Sequence, residues 1–172
     1  MPEFDFDLTA VRASPRRWGT LELIARRPAE DEREELEQAE LNPEAGLVGD
    51  RWGSSAHKHG RDTQVTLMNS RAAELVAGPR TQWAIAGDQL YVDFDLSAAN
   101  LPAGTRLRVG SAVIEVTAIP HTGCGKFSRR FGLHALKLVN SSAGRELNLR
   151  GINAKVLRAG IVKPGDRIEK ML

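Results

Sequence analysis

"RLRVGSAVIEV", residues 106–116, decides how the rest of this sequence reads. Apolar and polar residues alternate on both sides of Gly110-Ser111, a two-residue connection with glycine first that suits a tight hairpin. Pairing across that turn puts Leu107, Val109, Ala112, Ile114 and Val116 on one face. It also sets Arg106 opposite Glu115 on the other, a cross-strand charge pair worth ~0.2–1 kcal/mol. Pattern and turn agree on an antiparallel hairpin with one buried face.

Outward from the hairpin the short-strand signature recurs. "TLELIA" (20–25), "QVTLM" (64–68) and "LYVDFD" (90–95) are brief and rich in β-branched, aromatic or alternating apolar residues. "INAKVLRAGIVKPGDRIE" (152–169) predicts two strands around Gly160 and a Lys163-Pro164-Gly165-Asp166 turn, with proline then glycine at its centre. Helices are few. "NSRAAELVAGP" (69–79) has an Asn or Ser cap and a Gly-Pro stop, and "FGLHALKLVNS" (131–141) carries Leu133, Leu136 and Val139, with Leu138 widening the stripe. The acidic "PAEDEREELEQAELNP" (28–43) has seven acids against Arg33 and little apolar pattern beyond Leu36, Ala39 and Leu41, so an exposed helix or a mobile insertion is expected. The fold class is therefore mainly β with a few helices (α+β), a closed or nearly closed β-barrel.

Composition bounds the function. At 172 residues the chain is long enough for one domain that buries roughly two-thirds of its unfolded surface. Its 24 basic and 22 acidic residues nearly cancel, and aromatics are 5%, which argues against nucleic acid as a partner. No apolar run approaches the roughly 20 residues of a membrane span. "MPEFDFDLTAVRASPRR" lacks a basic head followed by an apolar stretch, so no secretory signal is expected and a cytoplasmic location is the default.

The chemistry concentrates in "PHTGCGKFSRRFG", residues 120–132, which holds the one cysteine of the chain. One cysteine excludes an internal disulfide and a multi-cysteine zinc cage. Two readings of Cys124 remain, an inert buried sulfur or a reactive thiolate. Lys126, Arg129 and Arg130 put positive charge within six residues of it, and the flanking glycines remove side-chain cover. His121 is a candidate general base for that thiol, as in cysteine hydrolases, against a structural role. His57 and His59 alternate, but with no third ligand nearby they read as a polar loop rather than a metal site.

Four landmarks in order resemble the MOSC domain, the module also found at the C-terminus of molybdenum cofactor sulfurases. They are "GLVGDRW" (46–52), "QVTLMNSRAAELVAG" (64–78), the hairpin running into the cysteine (101–132), and "LRGINAKVLRAGIVKPGD" (149–166). The resemblance spans roughly residues 20–168. It implies a stand-alone protein with a MOSC-like barrel that binds the molybdenum cofactor, a pterin with a dithiolene and a phosphate. Cys124 inherits the family's cysteine, proposed to ligate molybdenum or to carry sulfur as a persulfide. Arg51 and Arg150 fall at matching positions and Lys126 fits the cysteine-x-lysine pattern. These three, with Arg129, are the expected cofactor contacts.

As a reductase of N-hydroxylated compounds the protein would need a separate flavin or iron–sulfur electron donor. As a sulfur carrier it would need a separate cysteine desulfurase. The sulfurases' desulfurase domain has no counterpart here, so no pyridoxal phosphate is expected. The chain also departs from the family's Gly-Glu-Asn segment, reading "AGDQLYVDF" with Asp88 and Gln89 there. The alternatives are a cysteine hydrolase or transferase with a Cys124–His121 pair, and a non-catalytic cofactor-binding module.

Overall fold

The computed structural model describes residues 6–54 and 60–172. Its strands are β1 (Trp18–Arg26), β2 (Glu34–Leu36), β3 (Ala39–Asn42), β4 (Gly46–Leu47), β5 (Val65–Asn69), β6 (Leu90–Asp93), β7 (Arg106–Val109), β8 (Ala112–Val116), β9 (Ile152–Arg158), β10 (Gly160–Val162) and β11 (Arg167–Lys170). The helices are α1 (Thr9–Arg12), α2 (Ser70–Ala77), α3 (Gly125–Phe131), α4 (Leu133–Asn140) and α5 (Ser142–Glu146).

Seven strands in the order β11-β7-β8-β9-β5-β6-β1 close into a barrel, because β1 pairs back onto β11 through Trp18↔Glu169 to Thr20↔Arg167. Strand β1 is long enough to serve three partners: β11 near its start, β6 in its middle and β2 at its end. A smaller sheet, β10-β3-β4, lies beside the barrel. The hairpin forms in the register that its alternation dictates, with Arg106↔Glu115 and Val109↔Ala112. Leu107, Val109, Ala112, Ile114 and Val116 all enter the barrel core, and Gly110 takes the positive φ of +54 that the tight turn requires. Arg106 Nε reaches Glu115 Oε2 at 3.3 Å on the outer face.

The one parallel pairing among the described residues of the barrel, β5 with β6, is bridged by α2, the usual crossover solution for parallel neighbours. Asn69 caps α2, its side chain accepting from Arg71 N, and Gly78 ends it with φ +79. In α4 the buried face is Ala135 and Val139, four apart, with Leu136 and Leu138 half-covered; Leu133, expected on that stripe, is exposed. These residues join Phe127, Leu147 and Leu149 in an apolar cluster outside the barrel, and that cluster seats α3.

Two expectations are corrected. Residues 28–43, expected as an exposed helix or a mobile insertion, hold no helix among the described residues. Their second half makes β2 and β3, where Ala39 and Leu41 are buried while Glu40 points out. The acids hid a period-two pattern only four residues long, too short to register against seven carboxylates. Residues 152–169 hold three strands rather than two, since β10 leaves the barrel at Gly160 to pair with β3. No helix among the described residues is long and apolar enough to cross a membrane.

Candidate functional site

Three strand ends deliver the centre of the site. Asp88 precedes β6, Arg150 precedes β9, and His121 lies in the connection that leaves β8. The Asp88 carboxylate is wholly enclosed. Its Oδ1 meets His121 Nε2 at 2.9 Å and its Oδ2 accepts from Arg150 Nη1. Burial alone would raise a carboxyl pKa, but the charge of Arg150, aided by hydrogen bonds from His121 and Arg150, holds Asp88 well below the usual carboxylate range. Burial, with Arg150 close by, also pushes His121 below the ordinary imidazole value, so the ring is neutral at pH 7. An ionised carboxylate can only accept, which puts the imidazole proton on Nε2 and leaves Nδ1 as an acceptor.

Beside this triad opens a cavity of about 190 Å³ whose wall includes six cations: Arg27, Arg33, Arg51, Lys126, Arg130 and Arg150. Their positions have identifiable causes. Buried Asp50 accepts from Arg27 Nε at 3.1 Å, Arg27 Nη2 at 2.8 Å and the Arg27 backbone N–H at 2.8 Å. Arg51 N then donates to Arg27 O at 2.7 Å, tying the two arginines into one bend. Carbonyl oxygens at the end of the short helical segment 80–86 hold three more. Ala84 O accepts from Arg33 Nε at 3.1 Å, and Ala86 O accepts from Arg150 Nη2 at 3.0 Å and Arg130 Nη1 at 3.4 Å.

Gly87 closes that segment with φ +91, where an added Cβ would also lie 3.2 Å from Arg33 Nη2. The Arg33 pKa falls below the ordinary guanidinium value, first through burial and then through repulsion by Arg130 and Arg27. Cations crowded enough to repel one another are relieved by an anion placed between them.

Cys124 stands exposed on the rim of this cavity. The seven residues after it coil into α3. Phe127 and Phe131, four apart and in edge contact at 5.1 Å, give that charged stretch the apolar anchor it needs. Gly123 is present for packing rather than access: a Cβ there would come within 2.8 Å of both Leu136 and Val139. Asn140 holds the turn, accepting from Gly123 N at 3.0 Å and donating to Gly123 O at 3.2 Å. No capping hydrogen bond closes between Sγ and the helix. The amide of Phe127 nonetheless acts foremost, with the Lys126 amide, Arg150 and Arg130, to lower the thiol pKa against the opposing effect of burial.

Of the residues singled out in the sequence, Cys124, His121, Arg51, Lys126 and Arg150 meet at this cavity. Arg129 does not. Successive helical residues turn about 100°, so the face of α3 that lines the cavity carries Lys126, Phe127 and Arg130 and leaves Arg129 exposed on the flank. Cys124 and His121 share the cavity wall, yet among the described residues no hydrogen bond joins them; the imidazole Nε2 is given to Asp88. His57 and His59 lie outside the described residues. Among the described residues, no group of three or more His, Cys, Asp or Glu could hold a metal ion unaided. Sequence reasoning missed Arg27, Arg33 and Asp50 as site residues, and missed that Glu30 and Asp31 reach the cavity. The one available signal was the buried-strand context of Gly87-Asp88-Gln89, an acid and an amide entering a core strand.

A closed barrel with a cation-lined cavity and a single thiol on its rim defines the class of protein. The family model described as "MOSC domain" matches residues 55–169, and the chain belongs to that family. Its fold is similar to the YuaD protein from Bacillus subtilis, at 18% identity and a TM-score of 0.62 over 89% of this chain and 95% of that one. It is similar to YiiM from Escherichia coli, at 20% identity and a TM-score of 0.59 over 92% of this chain and 71% of that one. The corresponding values for YiiM from Geobacillus stearothermophilus are 16%, 0.57, 92% and 75%. A search of the curated proteins gives no significant match.

Two predictions follow from the geometry. Asp88→Asn strands the buried charge of Arg150 and should cost about 3–5 kcal/mol in denaturant unfolding at pH 7. Because the folded-state pKa of Asp88 is depressed, its ionised form stabilises fully above the unfolded value of ~3.9 and less as pH falls through the folded value. The gap between the two proteins should therefore stay constant down to about pH 4 and shrink below it; a gap that is absent at pH 7, or that widens in acid, contradicts the assignment. The second concerns the thiol. Alkylation of Cys124 by iodoacetamide, followed against pH, should titrate below the ~8.5 of an ordinary thiol, and a midpoint at or above ~8.5 removes the activated thiolate.

Proposed function

We propose that this protein binds the molybdenum cofactor in the cationic cavity and uses Cys124 either as a molybdenum ligand or as a sulfur carrier. The observation that supports the reading is a solvent-reachable, acid-shifted thiol on the rim of a cavity walled by six cations. The residues fit the group in kind. Planar guanidinium forks suit a phosphate at two points, and a soft thiolate suits a sulfur-bound metal. When bound, the cofactor supplies a redox-active molybdenum centre.

The chain's own residues do the holding and presenting. Arg33, Arg130 and Arg150 are aimed by backbone carbonyls before any ligand arrives, so binding need not order them. Arg150 is also fixed by Asp88 and stacks on Phe127 at 5.1 Å, which makes it the least movable of the three. In the reductase form, electrons for N-hydroxylated substrates would come from a separate flavin or iron–sulfur protein. In the carrier form, the Cys124 thiolate attacks the outer sulfur of a desulfurase's cysteine persulfide, and the desulfurase thiolate leaves. A Cys124–His121 hydrolase is less well supported, since no hydrogen bond joins the two side chains among the described residues, although Asp88 orients the imidazole.

Metal and pterin analysis of protein purified from a cofactor-competent host tests the reading. Wild type should carry both near one per chain, and Arg33→Ala/Arg130→Ala should lose both. Molybdenum lost with Cys124→Ser while pterin stays identifies the ligand role; full molybdenum in that variant leaves sulfur carriage. Equal pterin content in wild type and the double arginine variant overturns the proposal.

A further inference from the structure

We propose that Glu30 and Asp31 form an acidic strap that occupies the cationic cavity and yields only to a ligand group with at least two negative charges, such as a phosphate monoester or diphosphate. This deepens the anion-binding reading above and rests on it. Both acids belong to the connection between β1 and β2, and both line the cavity beside Cys124. Glu30 Oε1 meets Lys126 Nζ at 3.1 Å, and Asp31 Oδ1 meets Arg130 Nη2 at 3.6 Å. The strap therefore spans from the end of β1 to two cations of α3, the helix that begins at the thiol.

Its two ends are fixed by other means than these ion pairs. Arg27 is held by Asp50 at one end, and Arg33 is held by Ala84 O at the other. Between them the chain makes one turn, with Glu32 N donating to Ala29 O at 3.2 Å, and Asp31 takes a φ of +60, in the region that side-chain-bearing residues rarely adopt. Both carboxylates are mostly solvent-exposed, at 66% and 77% of their side chains. Ion pairs that open to water contribute little, so the strap is a weak occupant.

Cavity size points the same way. With the acids in place it measures about 190 Å³, below the ~300–1,000 Å³ of sites that enclose small organic ligands. Moving Glu30 and Asp31 aside enlarges the cavity and frees Lys126 and Arg130 together. A monoanion can replace only one of the two carboxylates and leaves the other in place. A dianionic group replaces both, which sets a charge threshold on what enters.

The test uses the full chain without cofactor, with inorganic pyrophosphate as the probe and acetate as the monoanion. Glu30→Gln/Asp31→Asn should bind pyrophosphate about 5-fold more tightly than wild type, whereas Glu32→Gln, an adjacent acid outside the cavity, should change affinity less than about 2-fold. In a Cys124→Ser/Ala29→Cys chain, an environment-sensitive dye on position 29 should respond to pyrophosphate and not to acetate at equal concentration. Equal pyrophosphate affinity in wild type and the double acid variant refutes the strap, and if Arg130→Ala alone abolishes binding the cavity reading survives. A dye response to acetate as large as that to pyrophosphate refutes the charge threshold. Failure of every variant to bind pyrophosphate sinks the anion-binding reading itself.

Discussion

Inside this protein a carboxylate with no solvent contact stays ionised because Arg150 and His121 close on it from two sides. Asp88, Arg150 and His121 sit just beyond the ends of different barrel strands, so the contact ties the entries of β6 and β9 to the exit of β8. The three groups also fix one another's states. Asp88 holds the Arg150 charge in a buried position, Arg150 keeps Asp88 ionised, and burial together with Arg150 keeps His121 neutral against the pull of Asp88, which fixes the ring proton on Nε2. A buried ion pair is weak evidence for stability in itself, since desolvation offsets most of its attraction. Its retention here is best understood through what it positions: a guanidinium that could not otherwise remain at the floor of the cavity.

Around that floor the protein concentrates positive charge by spending backbone carbonyls and one more buried acid. Ala84, Ala86 and Asp50 together orient Arg33, Arg130, Arg150 and Arg27. Formal net charge is only +2, so the cationic field is local rather than global. The thiol gains from the same field. Its lowered pKa comes from the first amides of α3 together with Arg150 and Arg130, so two of the charges proposed to attract an anion also favour the thiolate. The acids of the β1–β2 connection then temper the field at its mouth.

Much of the barrel was legible because its signals are local. The 106–116 hairpin states its face, register and turn in eleven residues, and α2 carries its cap and stop within one stretch. Cys124, Lys126 and Arg150 were singled out through the resemblance to a family pattern, which adjacent residues preserve, and all three line the cavity. What stayed hidden is non-local. That Asp50 would hold Arg27, or that Arg33 in an acidic run would turn into the cavity, depends on contacts between segments with no shared pattern. Arg129 and Arg130 are indistinguishable in a loop, and only the helical phase of α3 separates them. The two short strands in residues 34–42 were masked for a similar reason: their apolar positions are few and their acids many.

The central claim is that the arginine-walled cavity beside Cys124 receives an anionic, metal-bearing cofactor. A crystal structure of the protein isolated with its cofactor tests this most directly. The cofactor's phosphate should lie among Arg33, Arg130 and Arg150, with the metal–sulfur end turned toward Cys124 Sγ. A cofactor bound at another face of the barrel, touching none of these arginines, would contradict the account.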